Sequence, residues 1–192
     1  MRILVRLCVD LSQVSKFIVI DCYPLPNIEE VFNSLSGAKV FSTLDLKGAY
    51  NQVPLHEESR DLTAFITDDG LFRFKRIPYG LASAPSFFQK MMSIVLKGQD
   101  GVKCYLDDIL VYGCNKEEHD ARLRETIRKL DGVMSRLDYK KCVIGKDRVS
   151  YLGAILSAEG VEPQEDKVSA IADMHPTTCG ELKTFLGLIQ YN

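Results

Sequence analysis

The sequence predicts an α+β domain, and three observations carry that reading. Short β-branched runs alternate with amphipathic stretches along the chain. Two pairs of apolar runs flank tight turns rich in aspartate. One long charged segment holds a single apolar stripe at helical spacing. With 46% hydrophobic and 26% charged residues among 192, the chain has apolar surface for a sizeable core, and its mixed charge is unlike a disordered or coiled-coil composition.

The elements follow in order. Arg2 to Val9 and Phe17 to Ile20 read as strands, and Tyr23-Pro24-Leu25-Pro26 holds the chain extended, because each proline restricts its predecessor. Ile28, Val31, Phe32 and Leu35 fall at i, i+3, i+4 and i+7, a helix capped by Asn27 and closed by Gly37. Val40 to Leu44 is a buried strand ending at Asp45. Leu62 to Thr67 and Leu71 to Ile77 form a hairpin around Asp68-Asp69-Gly70. A helix begins at Ala84-Pro85 and ends near Gly98, with Phe87, Phe88, Met91 and Val95 on its core face. Val102 to Leu106 and Ile109 to Tyr112 make a second hairpin with Asp107-Asp108 at its tip. From Glu117 to Leu137, the stripe Leu123, Ile127, Leu130, Met134, Leu137 predicts a long amphipathic helix. A third hairpin is expected from Lys141 to Ile144 and Arg148 to Leu152, followed by helices near Glu165 to Ala172 and Glu181 to Ile189. The last of these runs to the end of the chain without a capping signal, so a truncation is expected there.

Composition narrows the function classes. No apolar run approaches the roughly 18 residues a membrane helix needs, and charges interrupt the amino terminus where a signal peptide would be apolar. Six cysteines stand without a C-x-x-C pair beside three histidines, which argues for reduced thiols in an intracellular, cytoplasmic protein and against zinc. A net charge of −2 gives no global pull on a polyanion, so nucleic acid would be held by local patches such as Lys140, Lys141, Lys146 and Arg148.

The chemistry lies in the acids. Asp45 ends one apolar strand and Asp107-Asp108 sits between two others, so carboxylates gather at the mouth of a buried sheet, where packing alone does not ask for them. Carboxylates from separate strands, with no histidine or cysteine beside them, form a hard oxygen set suited to magnesium or manganese. Two-metal phosphoryl transfer needs such a set. An isolated Asp-Asp turn is more often just a polar turn; here the surroundings reverse that.

Tyr105-Leu106-Asp107-Asp108 resembles the Y-x-D-D box of reverse transcriptases. It follows Tyr23-Pro24-Leu25-Pro26, Phe41-Ser42-Thr43-Leu44-Asp45-Leu46, Ala49-Tyr50-Asn51-Gln52-Val53, Thr63-Ala64-Phe65 and Pro78-Tyr79-Gly80-Leu81-Ala82-Ser83-Ala84-Pro85 with Phe88-Gln89. It precedes Lys141-Cys142, Tyr151-Leu152-Gly153 and Phe185-Leu186-Gly187-Leu188. In that order the boxes resemble the polymerase domain of a gypsy-like long-terminal-repeat retrotransposon Pol polyprotein, from about Arg6 to the last residue.

The resemblance implies a right-hand polymerase fold: a palm with partial fingers and the start of the thumb. Residues 1–44 and 57–84 would be fingers-like, 45–56 and 85–158 palm, and 159–192 thumb. It implies RNA-directed DNA synthesis with two magnesium ions, manganese being an alternative. Asp45, Asp107 and Asp108 match the catalytic carboxylates, with Asp45 and Asp107 the direct ligands of both ions, and Leu46 stands beside them at the metal and lends its backbone N–H to the triphosphate. Arg6 matches a residue that neutralises phosphate and stacks on the incoming base. Tyr50 matches the aromatic that excludes a ribose 2′-hydroxyl, and Tyr79 and Gly80 match a loop against the nucleotide. Gln89 matches a template-side residue. Tyr105, Leu106, Lys141 and the Leu152-Gly153 hairpin match the template and primer side. The implied partners are an RNA or DNA template, a DNA or tRNA primer, deoxynucleoside triphosphates, and ribonuclease H, integrase and protease domains of a parent polyprotein in a virus-like particle, with no membrane.

Ser12 and Ser15 replace the arginine and asparagine usual after Cys8-Val9-Asp10, Leu62 replaces a lysine, and Tyr79 a phenylalanine. The first three lose polar contacts that support the fingers, and Met1 falls where the second fingers strand would be under way. The competing class is a truncated or domesticated non-catalytic relic acting as an interaction module. An RNA-binding module without chemistry would carry more basic charge.

Overall fold

The computed structural model describes residues 9–19, 21–133, 135–165, 168–169 and 174–191. The strand expected over Arg2 to Val9, except its last residue, Met134 and most of the helix expected from Glu165 to Ala172 lie outside them. Helix α1 (Ser12–Ser15) is one turn long. The strand expected at Phe17 to Ile20 does not form over its described residues: Phe17 N–H closes a turn onto the Val14 carbonyl, and Phe17 and Val19 are 88% and 95% exposed. β-branching gives a strand only where a partner edge is in reach.

Helix α2 (Ile28–Asn33) starts where Asn27 Oδ1 accepts from the Glu29 N–H at 2.9 Å, and Glu29 and Glu30 sit in its positive first turn. Strand β1 (Val40–Asp45) follows, then 3₁₀ turns over Ala49–Gln52, Glu57–Ser59 and Asp61–Thr63. The first aspartate-rich turn closes a hairpin of β2 (Phe65–Thr67) and β3 (Gly70–Phe72), shorter than expected because the 3₁₀ turn absorbs its first residues. Helix α3 (Ala84–Val95) leads to β4 (Val102–Tyr105) and β5 (Asp108–Gly113). Helix α4 (Lys116–Gly132) is capped by Asn115, whose Oδ1 accepts from Glu118 N–H.

The stripe expected to run to Leu137 breaks at Gly132. Leu123 and Leu130 are buried on α4, whereas Leu137 lies beyond it and is bridged to Leu46. The expected third hairpin does not form either. Strand β6 (Val143–Lys146) pairs with β1, and β7 (Val149–Tyr151) pairs instead with β8 (Ala154–Ser157), which pairs with β9 (Gly160–Pro163). A turn-like Gly145-Lys146-Asp147 thus parts two sheets. Position 158, the expected palm limit, falls in the turn between β8 and β9. Helix α5 (Cys179–Tyr191) is the last element.

The central sheet runs β4-β5-β1-β6, with all three pairings antiparallel. Alternation divides its faces. Leu44, Ile109 and Val111 pack with Phe88, Met92, Leu123 and Leu130 of α3 and α4. Phe41 and Leu110 pack on the other face with Val31 of α2 and with Val149, Tyr151 and Leu156. Helix α3 buries Ala84, Phe88, Gln89 and Met92 while Phe87 is exposed, one residue round from the expected face. Small Ala84 lets the helix approach, and polar Gln89 is drawn inward by the bonds described below.

A buried polar contact fixes α4 to the sheet. His119 Nδ1 lies 3.0 Å from an Asp120 carboxylate oxygen, and Nε2 lies 2.8 Å from Ser42 Oγ, which also accepts the Gly145 N–H at 2.9 Å. The helix comes this close because residue 113 is glycine: a Cβ there would sit 2.7 Å from His119 N and 2.9 Å from its Cα. Gly113→Ala is expected to destabilise the chain by about 1–3 kcal/mol through overpacking, read as a lower urea midpoint with an unchanged slope.

Candidate active site

The backbone alone brings two acids together. Tyr112 N–H bonds the Gly101 carbonyl at 2.9 Å, which sets the phase of the β4–β5 ladder and turns the Asp108 backbone toward its partner Tyr105. On the other side Asp108 faces Asp45, and this pair is of the close, non-hydrogen-bonded kind, its Cα atoms about 4.5 Å apart with side chains on one face. Like charges directly opposite destabilise a sheet. Asp107 occupies the turn one residue earlier.

The electrostatics register this crowding. Burial, then the charges of Asp107 and Asp45, push the Asp108 carboxyl up, while Lys141 opposes them. Lys141 Nζ lies 3.1 and 3.3 Å from the two Asp45 oxygens, and that contact raises the ammonium's own pKa. Burial raises the Tyr50 phenol and the Asp107 charge adds to it.

The turn that carries Asp107 is strained and clamped. Leu106 has φ 54°, a left-handed conformation unusual for a branched side chain. Its N–H donates to Gln89 Oε1 at 2.7 Å, and Gln89 Nε2 donates to the Cys104 carbonyl at 3.0 Å. Gln89 was expected to face a template. It is 1% exposed, with both ends of its amide spent on the turn. The Cys104 thiol donates to the Leu106 carbonyl at 3.2 Å and is pushed up to about 12 by burial, so it stays a protonated donor to the turn at neutral pH.

Tyr50 stands at the centre of an aromatic floor. Its ring meets Tyr79 and Phe88 edge-on, each at a centroid distance of 5.3 Å. Gly80, with φ 91°, has the Val9 carbonyl 3.4 Å from where a Cβ would be. On the opposite flank, Leu152 (φ 48°) and Gly153 (φ 80°) form the two-residue turn between β7 and β8. Tyr151 O–H donates to the Asp108 carbonyl at 3.2 Å, tying that hairpin to the carboxylate strand. A cleft of about 420 Å³ runs between them, lined by Asp45, Asp108, Lys141, Tyr151, Leu152 and Gly153 among others. Arg6 lies outside the described residues.

The donor set fits hard divalent cations. Leu46 meets Leu137 in a bridge whose bonds are made by its neighbours, Lys47 N–H to the Arg136 carbonyl and Asp138 N–H to the Asp45 carbonyl. The bridge leaves the Leu46 amide and carbonyl free of it, on the β5 side beside the carboxylates. Among the described residues no three acid, cysteine or histidine side chains converge to enclose an ion by themselves.

Residues 1–156 match the family described as reverse transcriptase (RNA-dependent DNA polymerase). The chain belongs to the reverse transcriptase family. It is similar to the retrovirus-related Pol polyproteins of the Drosophila melanogaster transposons opus and gypsy, 35% and 34% identical over 189 residues. These alignments cover 97% of the chain and 19% and 18% of the polyproteins, so the chain spans less than a fifth of the length of these relatives. Its fold matches that of a foamy viral protease-reverse transcriptase in complex with double-stranded DNA, with TM-score 0.89 and 24% identity. That match covers 97% of this chain and 33% of the other. The same viral protein with an RNA/DNA hybrid matches at TM-score 0.83, also 24% identical, over 95% of this chain and 25% of that one. The fold is that of a reverse transcriptase, and the expected right-hand polymerase class holds.

Sequence reading named Phe88 and Tyr151 without giving either a role at the site of this reverse transcriptase domain, and it missed the inward role of Gln89. Tyr151 was legible as an alternate residue of a buried strand, whereas the direction of Gln89 depends on a helix rotation that no pattern fixes. Gln89→Leu leaves the Leu106 amide and the Cys104 carbonyl without partners, and should cost about 2–4 kcal/mol in urea unfolding. The raised Asp108 group means that the folded chain holds this proton more tightly than the unfolded chain. Its stabilising share is therefore present at low pH and is lost as pH rises from the ordinary carboxylate value through the raised one. In metal-free buffer Asp108→Asn should melt higher than the parent, the gap widening as pH rises across that window; parallel pH curves would refute the assignment.

Proposed function

We propose that this domain is an RNA-directed DNA polymerase of a long-terminal-repeat retrotransposon Pol polyprotein, extending a DNA or tRNA primer on an RNA or DNA template. The observation that carries the reading is the Asp45–Asp108 pair across β1 and β5 with Asp107 on the adjoining turn, in a chain of the reverse transcriptase family. Like charge held at such short range asks for cations, and the oxygen-only donor set supports two magnesium ions, with manganese as a substitute. When bound, these ions supply the charge that activates the primer 3′-hydroxyl and stabilises the departing pyrophosphate.

The chain's own residues position and select. Asp45, Asp107 and Asp108 hold the cations, with the Leu46 carbonyl as a further oxygen and the Leu46 N–H directed at the triphosphate. The Lys141 ammonium supplies the positive charge Asp45 requires. Tyr50, braced edge-on by Tyr79 and Phe88, forms a wall on which a ribose 2′-hydroxyl would clash. The Tyr79-Gly80 loop lines the nucleotide from the far side, and Arg6 keeps its phosphate role by family position. The Leu152-Gly153 turn, tied to Asp108 through Tyr151, sets the primer end against the carboxylates; Tyr105 and Leu106 complete that surface. Gln89 acts through the turn and touches no template. Ribonuclease H, integrase and protease domains of the polyprotein are the proposed companions, in a virus-like particle.

Primer extension on an RNA template with magnesium and deoxynucleotides tests the reading. Asp107→Asn keeps shape and removes charge, and should lower the rate at least ~100-fold while leaving the melting curve intact. Tyr50→Val should raise ribonucleotide use relative to deoxynucleotide by on the order of tenfold. Synthesis that survives chelation of divalent ions would overturn the two-metal assignment.

A further inference from the structure

A separate cavity of about 770 Å³ opens where Lys47, Arg76 and Arg136 come together, with Asp131 the one acid on its wall. The three cations come from three segments, just after β1, between β3 and α3, and after α4. Gln52 gathers all three. Its side-chain Nε2 donates to the Lys47 carbonyl at 2.9 Å and to the Arg136 carbonyl at 3.0 Å, its Oε1 accepts the Arg136 N–H, and its backbone carbonyl accepts from the Arg76 guanidinium. Lys47 N–H adds a bond to the Arg136 carbonyl at 2.9 Å.

The chemistry of that hub decides what the cavity is for. A carboxylate in place of Gln52 would hold the segments together by neutralising them. A neutral amide instead pins backbone groups and leaves the cationic heads uncompensated, and among the described residues no ion pair engages Lys47, Arg76 or Arg136. Three cations on the wall of one basin with a single acid repel one another, and a multiply charged anion relieves that repulsion. All three line the wall of one cavity, where a compact polyanion can meet them together.

We propose that this basin binds a short polyphosphate, as free pyrophosphate or as the polyphosphate tail of a nucleotide. The site lies outside the carboxylate cleft and does not depend on the polymerase reading. It is joined to that cleft through β1, since Lys47 follows Asp45 by two residues and both are stitched to the segment after α4, Lys47 to Arg136 and Asp45 to Asp138.

The test is calorimetric titration of sodium pyrophosphate, and separately of ATP, into the full chain at low ionic strength with EDTA, so that no divalent ion recruits the carboxylates. Saturable one-to-one binding is expected, and Lys47→Gln with Arg136→Gln should weaken it at least tenfold. Lys39→Gln with Arg124→Gln, removing equal charge from exposed positions elsewhere, should leave it within twofold. Gln52→Leu keeps the cations but loosens the hub and should weaken binding severalfold, circular dichroism confirming that each variant folds. Equal affinity for both ligands identifies pyrophosphate as sufficient, and tighter ATP identifies a nucleotide tail. The proposal fails if binding does not saturate, if both double variants lose it equally, or if an eight-nucleotide single strand displaces pyrophosphate at lower concentration. A chain inactive in primer extension yet binding pyrophosphate would sink the polymerase reading and leave this one standing.

Discussion

Two negative charges held face to face across a pair of strands govern this molecule. Asp45 and Asp108 sit at a close-paired position of an antiparallel ladder, where side chains approach most nearly, and Asp107 is one residue away. The fold gains nothing from the arrangement. It tolerates it by placing Lys141 on Asp45, by letting Asp108 hold its proton more tightly, and by keeping the acids at the end of the sheet, open to the cleft. Each accommodation is partial, and the proposed cations would complete it. The site's chemistry and its instability share one origin.

Holding that geometry falls to groups without charge. A two-residue turn whose first residue is a left-handed leucine does not persist on its own preference. The Gln89 amide bonds both sides of it, and the helix presenting Gln89 is anchored by Phe88 and Met92 in the core beneath the sheet. Phe88 also braces Tyr50, so one helix turn locates both the carboxylate turn and the Tyr50 ring. Tyr151 holds the start of β5 from the other flank with a single hydroxyl.

The sequence made the strands around the acids legible because they obey local rules. Val40 to Leu44 and the Asp68-Asp69-Gly70 hairpin are set by alternation and turn chemistry within a few residues, and the second hairpin was legible with its tip placed one residue late, since Leu106-Asp107 form the turn and Asp108 opens β5. The helix capped by Asn27 was readable for the same reason. Failures came where distant partners decide. Lys141 to Leu152 has the pattern of a hairpin, but β1 takes its first strand and β8 its second. Phe17 to Ile20 has strand propensity and no edge to join over its described residues. Helix α3 is rotated by one residue because a glutamine buried by two long-range bonds competes for the core face with phenylalanine. Of the candidate site, the three acids and Tyr50 were legible as residue types in order. That Asp108, and not Asp107, stands opposite Asp45 follows from ladder phase, which no motif encodes.

The manner in which β6 joins the sheet bears on how the molecule assembles. Ser42 Oγ and Gly145 N–H meet across 103 residues of chain, and Lys141 reaches Asp45 across 96. The β4–β5 hairpin and α4 between them are local and form early; closing so long a loop comes late, because its entropy must be met before the contacts reward it. Lys141 therefore arrives with the last strand of the sheet. Until that moment the nascent palm carries its acids without a counter-charge, and the step that completes the fold also makes its electrostatics tolerable.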